Sequence, residues 1–185
     1  MRVVIGEDEA IPFSRTVDGI LVECISHSAQ SWRDRFERDG TSWLYAVLDA
    51  EVLEDSKGVA AELLTAARTA RSEYRTPPEL RRRIATMFHH GHAKLKRATG
   101  GPAAVRGYWA SICTEMVLDA LYAVHDAPLP AGSRRREHLG EIGLSTTELA
   151  LVDHLLDGST EERFAALLRL IETVTPHLGP SDVGR

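Results

Sequence analysis

Glu23 is an acidic residue inside an otherwise apolar run, Gly19 to Ile25, whose composition is typical of a β-strand. Side chains alternate between the two faces of a strand, so Glu23 shares a face with Leu21 and Ile25. A carboxylate between apolar neighbours is costly to bury unless it is paired or bound to a metal ion. The pattern predicts a metal-binding carboxylate or, alternatively, an edge-strand glutamate that points into solvent.

Histidine and basic residues cluster between positions 81 and 97. His90 and Lys94 lie one helical turn apart on one face, and histidine can accept a proton near neutral pH. A surface histidine beside a solvated lysine is the alternative. His89 and His92 have a spacing that can chelate a metal ion, but stable zinc sites need three or four ligands and no third has a matching spacing. The cluster therefore favours a solvated basic helix face over a metal site.

Capping residues and prolines divide most of the chain into predicted helices. Ser28 can cap a helix that ends at Gly40, and a short helix is expected in the apolar stretch from Trp43 to Leu53. Capping-box spacings recur at Thr76, Ser145 and Ser159. The further helices are predicted over Val59–Tyr74, Thr76–Ala98, Ala103–His125, Ser145 to Gly158, and Ser159 to about Pro176.

The predicted helix from Ala103 to His125 carries the widest apolar stripe, which is typical of a helix at the centre of a bundle. One stripe contains Trp109, Ile112, Met116, Ala120 and Ala123, and beside it lie Tyr108, Cys113, Val117, Leu121 and Val124. We expect Trp109, Ile112 and Met116 to be buried. On the preceding helix, we expect His90 and Lys94 to be exposed.

The composition indicates a globular protein. A chain of 185 residues is long enough for one ordinary domain with a small appendage. A hydrophobic share of 43% fits a packed core, and a net charge of −5 argues against a general nucleic-acid binder. Cys24 and Cys113 lie far apart, which predicts buried free thiols in a reducing compartment. Without a signal-peptide pattern or an apolar stretch of about 20 residues, we expect a cytoplasmic protein without membrane partners.

Several segments resemble the kanamycin (aminoglycoside) nucleotidyltransferase family. They are Pro12-Phe13-Ser14, Gly19-Ile20-Leu21-Val22-Glu23-Cys24, Trp43 through Leu53-Glu54-Asp55-Ser56-Lys57-Gly58, and Ala120-Leu121-Tyr122-Ala123-Val124 followed by Pro128-Leu129-Pro130 and a basic run. The resemblance implies an α+β fold that is mainly α. It further implies a partial nucleotidyltransferase palm with β structure over residues 1–27 and a helical bundle domain over residues 28–185.

The family resemblance also implies a reaction. Such enzymes use Mg²⁺ to transfer a nucleoside monophosphate from a nucleoside triphosphate to a hydroxyl group of a small molecule. By this resemblance Glu23 is the third metal carboxylate, His90 replaces the glutamate general base, and Lys94 contacts phosphate. The family builds its sites across a dimer, so we expect a homodimer. Arg83 and His89 also resemble the loose Arg-then-His spacing of helical ribonuclease domains associated with minimal nucleotidyltransferases.

The sequence departs from the family at its most diagnostic motifs. In the family a Gly-Ser motif and an Asp-x-Asp pair come just before the first strand, where Met1 stands here. Two other segments have acidic residues at the same spacing as that pair, Glu7-Asp8-Glu9 and Asp49-Ala50-Glu51. Their side chains are predicted to be solvated. We therefore expect residues 1–185 to be inactive unless the chain is N-terminally incomplete. The alternative is a non-catalytic helical interaction module or partner subunit.

An open palm has a further consequence for association. If Val3, Ile5, Ile20 and Val22 face water next to an open strand edge, the edge can recruit other chains. The sequence therefore predicts that the chain dimerises or aggregates through residues 1–27.

Overall fold

The computed structural model describes residues 2–6, 13–38 and 42–179, and its contacts divide the chain into two compact units. The first unit extends from Met1 to Tyr74 and the second from Arg75 to Arg185. The described residues form a small sheet and a larger number of helices, which confirms the predicted mainly helical α+β class. No helix in the described ranges is long and apolar enough to cross a membrane.

The sheet of the first unit has three strands: β1 (Arg2–Ile5), β2 (Phe13–Val17) and β3 (Ile20–His27). Their order is β1-β3-β2, with β1 parallel and β2 antiparallel to β3. Asp18 and Gly19 join β2 to β3 with φ angles of 51° and 79°. Both angles are left-handed, as in the two-residue turns whose twist matches that of paired strands. Strand β2 was not expected from the sequence, although Asp-Gly is a strong hairpin signal.

The described residues of the first unit also form three helices: α1 (Ala29–Arg38), α2 (Ser42–Leu48) and α3 (Val59–Glu73). Their shared core contains the buried side chains of Trp32, Val47, Leu63 and Ala67. Ile5 and Ile25 of the sheet pack against the same core. The sheet and these helices thus share one core within the unit that ends at Tyr74. The domain boundary after residue 27 that the family resemblance implies stays a prediction.

The same core corrects the predicted exposure of the sheet. Ile5 is half-buried against the core, and Val22 is also half-buried. Ile20 is 67% exposed, as expected. The side chain of Val3 and the acidic segment at residues 7–9 lie outside the described parts of the chain, as does the predicted helix end at Gly40.

The second unit contains α4 (Pro78–Ala98), α5 (Ala103–Val124), α6 (Arg135–His138), α7 (Thr146–Asp157) and α8 (Thr160–Leu178). The short α6 is flanked by two 3-10 turns, Gly132–Arg134 and Leu139–Glu141. Helices α4, α5 and α8 pack against one another in pairs, and α7 packs on α8. Both late capping boxes are confirmed, at Ser145 with Glu148 and at Ser159 with Glu162.

The buried face of α5 differs from the predicted one. Cys113, Val117 and Leu121 are buried, as are Ala120 and Ala123, but Ile112 is 50% exposed. Trp109 and Met116 are only half-buried. Because α5 is apolar almost all round, apolar spacing alone does not identify the face that α4 and α8 cover.

Hydrogen bonds connect the start of α4 to the end of α5. The backbone N–H of Thr76 donates to Asp126 Oδ1 at 2.9 Å, and its hydroxyl donates to the Ala123 carbonyl at 3.0 Å. The Arg81 guanidinium donates to the same two acceptors, at 2.8 Å and 3.0 Å. Thr76 was predicted to cap α4, but the N-cap residue is Pro77 and has no side-chain cap. Thr76 binds the end of α5 instead, which leaves α4 and α5 side by side.

Candidate functional site

Glu23 lies on the open part of the sheet. It is an exposed residue of the central strand, and Ser14 of β2 is its cross-strand partner. Leu21 of the same face is 65% exposed, and its partner Thr16 is exposed as well. Further along this face, Ile25 packs against the helical core. The helices of the first unit therefore cover one end of the face and leave the end with Glu23 open. Glu23 points into solvent, but from a central strand and not from an edge strand.

The register of β1 is informative about Glu23. In the parallel ladder Arg2 is paired with Cys24, and the pairing continues to Ile5 and His27. Glu23 therefore lies one residue before the first described pair. A segment that enters β1 in line with the strand runs directly beside Glu23, because paired parallel strands lie about 4.8 Å apart.

The described residues do not form a metal site at Glu23 or elsewhere. In the described ranges no group of three or more His, Cys, Asp or Glu side chains could hold a metal ion. Asp49 and Glu51 follow α2, where Asp49 is half-buried and Glu51 is exposed. A single carboxylate does not fit the two-cation chemistry that the family resemblance implies.

His89 and His92 line a cleft of about 60 Å³ between α4 and α8. Thr175 and Leu178 line its α8 side. Burial lowers the pKa of His92, and the nearby charge of Lys96 lowers it further. No third metal ligand is found there among the described residues. Packing of a neutral, partly buried imidazole between α4 and α8 accounts for the position of His92 without a metal ion.

His90 and Lys94 are both exposed on α4. The Lys94 ammonium lies 5.7 Å from the ring centroid of Trp109 on α5, within the range of a cation–π interaction. Trp109 in turn contacts the ring of Tyr108 edge to face, with centroids 5.5 Å apart. The sequence pattern indicates His90 and Lys94 but not their aromatic neighbour, because apolar spacing predicts that Trp109 is buried in the core.

Gly91 explains how closely α5 approaches this part of α4. A Cβ atom on Gly91 would lie 2.8 Å from Cε and 2.9 Å from Sδ of Met116. The missing side chain therefore allows Met116 to pack against the α4 backbone between His90 and Lys94. This contact and the contact of Lys94 with Trp109 show that α4 and α5 run antiparallel, since the α5 number falls as the α4 number rises.

An ionic cluster on α5, at Glu115 and Asp119 on either side of Met116, was not predicted. Arg135 Nη1 lies 2.8 Å from Asp119 Oδ1 as an ion pair whose angles do not make a hydrogen bond, and it also contacts Glu115. Burial raises the pKa of Asp119, and the charge of Arg135 opposes that rise. The Tyr122 hydroxyl donates to the Arg135 carbonyl at 2.7 Å. The cluster fastens α6 to α5, so its charges serve the packing of the loop.

The predicted site residues thus fall in different units. Glu23 belongs to the first unit, whereas His90 and Lys94 are one turn apart in the second unit. The structure brings His90 and Lys94 together with Trp109. Comparison of the chain with protein-family models, with curated proteins and with solved structures finds no match.

Proposed function

We propose that this chain is a nucleotidyltransferase-like protein that resembles the aminoglycoside nucleotidyltransferases. Such proteins transfer a nucleoside monophosphate from a nucleoside triphosphate to a hydroxyl group of a small molecule. The observation that carries the proposal is the position of Glu23, an exposed carboxylate at the uncovered end of a central strand.

The β1–β3 register supports this assignment of Glu23. In the resembling family the Asp-x-Asp pair comes just before the first strand. Because Arg2 is paired with Cys24, an acidic pair at that point would lie next to Glu23. Carboxylates from neighbouring strands would then converge on one open face, as ligands of hard cations must. The uncovered surface around Glu23 leaves room for a triphosphate.

Two residues of the second unit complete the proposal. His90 stands where the family has a glutamate general base, and a neutral imidazole can accept a proton from an attacking hydroxyl. Lys94, one turn later, is the proposed phosphate contact. Both side chains are exposed and therefore open to a ligand. The free, buried thiols of Cys24 and Cys113 fit a cytoplasmic protein, because disulfides are rare in reducing compartments.

We further propose that residues 1–185 alone do not catalyse transfer. The cofactor that the chemistry requires is Mg²⁺, which would bind the triphosphate and neutralise charge on its oxygens. Glu23 would be one of its ligands, but no group of three suitable side chains is found among the described residues. A single carboxylate is a weak anchor for two strongly hydrated cations.

A pyrophosphate-release assay tests this proposal. The purified chain is incubated with Mg²⁺ or Mn²⁺, nucleoside triphosphates and a panel of aminoglycosides, and we expect no release above background. Glu23→Gln and the exposed control Glu51→Gln are assayed in parallel. Turnover that Glu23→Gln abolishes and Glu51→Gln preserves would show that other acids complete the site, and would overturn the inactivity proposed here.

A second candidate function is a non-catalytic interaction module or partner subunit. It is favoured by the apolar residues exposed at the hairpin, where Ile20 is 67% exposed and Val17 and Leu21 are exposed beside it. Exposed apolar patches next to strand edges promote association. Under this proposal the chain forms a homodimer through residues 1–27, which light scattering at micromolar concentrations measures. Leu21→Glu should dissociate the dimer, whereas Leu53→Glu in an exposed loop should not.

A further inference from the structure

We propose that the outer groove between α4 and α5 is a docking site for an acidic amphipathic helix of a partner protein. The groove, called the α4–α5 groove below, is lined by Met87, His90 and Lys94 of α4 and by Val105, Tyr108 and Ile112 of α5. This proposal goes beyond the proposed transferase function and does not depend on any turnover.

The helix pairing brings these residues together. Gly91 faces Met116 and Lys94 faces Trp109, so these four positions mark the line where α4 and α5 touch. Residues three or four positions apart lie on the same side of a helix. Met87 therefore flanks this line on α4, one turn before Gly91. Ile112 flanks it on α5, one turn before Met116; because the helices run antiparallel, Met87 and Ile112 lie on opposite sides of the Gly91–Met116 contact along the groove.

The apolar residues of the groove are unusually exposed. Met87 is 52% exposed, Tyr108 61% and Ile112 50%, and Val105 is also exposed. Val105, Tyr108 and Ile112 have the i, i+3, i+7 spacing of a single helix face. Single exposed apolar residues are ordinary, but several of them along one side of a helix pair mark an interaction surface. A third helix in this groove would bury these side chains as helices do in a bundle.

The charge of α4 indicates the chemistry of the occupant. Between Pro78 and Ala98 the sequence has six Lys or Arg residues and one Glu, and two of the six are paired with acids, Arg81 with Asp126 and Arg82 with Glu79. Arg83, Lys94 and Arg97 are exposed on the side of α4 that borders the groove. Glutamate or aspartate residues along the edges of a docked helix would be complementary in charge to these three basic residues.

A protein helix fits the groove better than nucleic acid does. Single-stranded nucleic acid is held by basic residues together with aromatic rings on which bases stack. Three of the four exposed apolar groove residues are Met87, Val105 and Ile112, which offer no ring for a base. Aliphatic side chains and a flexible methionine suit an apolar helix face laid into a groove.

The test uses the full chain and a fluorescein-labelled synthetic helix of about 15 residues, with leucine on one stripe and glutamate elsewhere. Binding is measured by fluorescence anisotropy. We expect binding that weakens as salt is added, and no binding of the same peptide with lysine in place of glutamate. Ile112→Glu and Met87→Glu should each weaken binding at least about tenfold, because central apolar anchors dominate such interfaces. Leu149→Glu, at an exposed position of α7, should leave binding unchanged.

Three results would overturn the proposal. The first is wild-type affinity in both Ile112→Glu and Met87→Glu, with circular dichroism showing that the variants are folded. The second is displacement of the acidic peptide by single-stranded RNA that binds more tightly than the peptide does. The third is a dimer, seen by light scattering, that Ile112→Glu dissociates, because this would assign the α4–α5 groove to a second copy of the chain. If the glutamate variants do not fold, Ile112→Ser is measured in their place, with the same expectation of weaker binding.

Discussion

Truncation of Leu121 to alanine should destabilise the second unit far more than the same truncation of Ile112. Both residues are on α5, but Leu121 is completely buried whereas Ile112 is 50% exposed. Leu121→Ala removes buried methyl groups and leaves a cavity, which costs about 2–5 kcal/mol. Full burial of an aliphatic side chain contributes about 1.5–3 kcal/mol, so the half-buried Ile112 contributes about 1 kcal/mol and leaves no enclosed cavity.

Urea denaturation followed by far-UV circular dichroism measures the two free energies of unfolding. Both variants replace a residue of α5 with alanine, so differences in helix propensity stay below about 0.5 kcal/mol. The comparison is valid if the two m-values agree, because m reports the surface exposed on unfolding. A larger loss of stability in Ile112→Ala than in Leu121→Ala would show that the α5 register is wrong. It would also remove Ile112 from the α4–α5 groove.

Two further predictions concern a helix cap and a helix contact. Glu148→Gln should lower the free energy of unfolding by about 1 kcal/mol near neutral pH, since Glu148 closes the capping box of Ser145. Burial raises the pKa of Glu148, but hydrogen bonds from Ser145 and His125 outweigh burial and leave it below the ordinary 4.5. The stabilisation by Glu148 is therefore present above pH 4.5 and is lost as the pH falls further. The free energies of unfolding of wild type and Glu148→Gln, measured in urea melts, should converge in acid. A difference between them that stays constant with pH would contradict this. Gly91→Val should cost about 1–3 kcal/mol in thermal melts because its branched side chain must displace Met116, whereas Gly91→Ala adds only a Cβ that the flexible end of Met116 can avoid and regains about 1 kcal/mol of helix propensity; a Gly91→Val variant as stable as the wild type would contradict the close contact.

The helix boundaries could be predicted from the sequence because their signals are local. Ser145 and Ser159 each stand three residues before a glutamate, and both capping boxes form as predicted. The turn at Asp18-Gly19 was equally local, yet β2 was missed because Phe13–Val17 has three consecutive polar residues, Ser14 to Thr16, between its two apolar ends.

The packing partners of each element could not be predicted in the same way. Which face of α5 is buried depends on the positions of α4 and α8, and those are not encoded in the spacing of α5 alone. The division of the chain after Tyr74 likewise depends on the core shared by Trp32 and Ile25, which are on different elements. These features arise from contacts between residues that are distant in sequence.

The exposure of the candidate site residues could be predicted, whereas their roles stay predictions. Glu23, His90 and Lys94 are exposed and open to ligands, which their sequence patterns allowed. The approach of Trp109 to Lys94 could not be predicted, because it requires the close contact that Gly91 permits between the two helices. The ion pair of Arg135 with Asp119 joins a loop to a helix, and only the fold brings these residues together.

The most direct test of the role of Glu23 is a graft. An Asp-x-Asp segment is placed immediately before Arg2, and Mn²⁺ binding is measured by electron paramagnetic resonance in the presence of a nucleoside triphosphate. Because Arg2 is paired with Cys24, the grafted acids should lie beside Glu23 and create a Mn²⁺ site. We predict that Glu23→Gln abolishes this site and that Glu51→Gln preserves it. Mn²⁺ binding that is unchanged by Glu23→Gln, or no gain of binding from the graft, would contradict the assignment of Glu23 to a nucleotidyltransferase metal face.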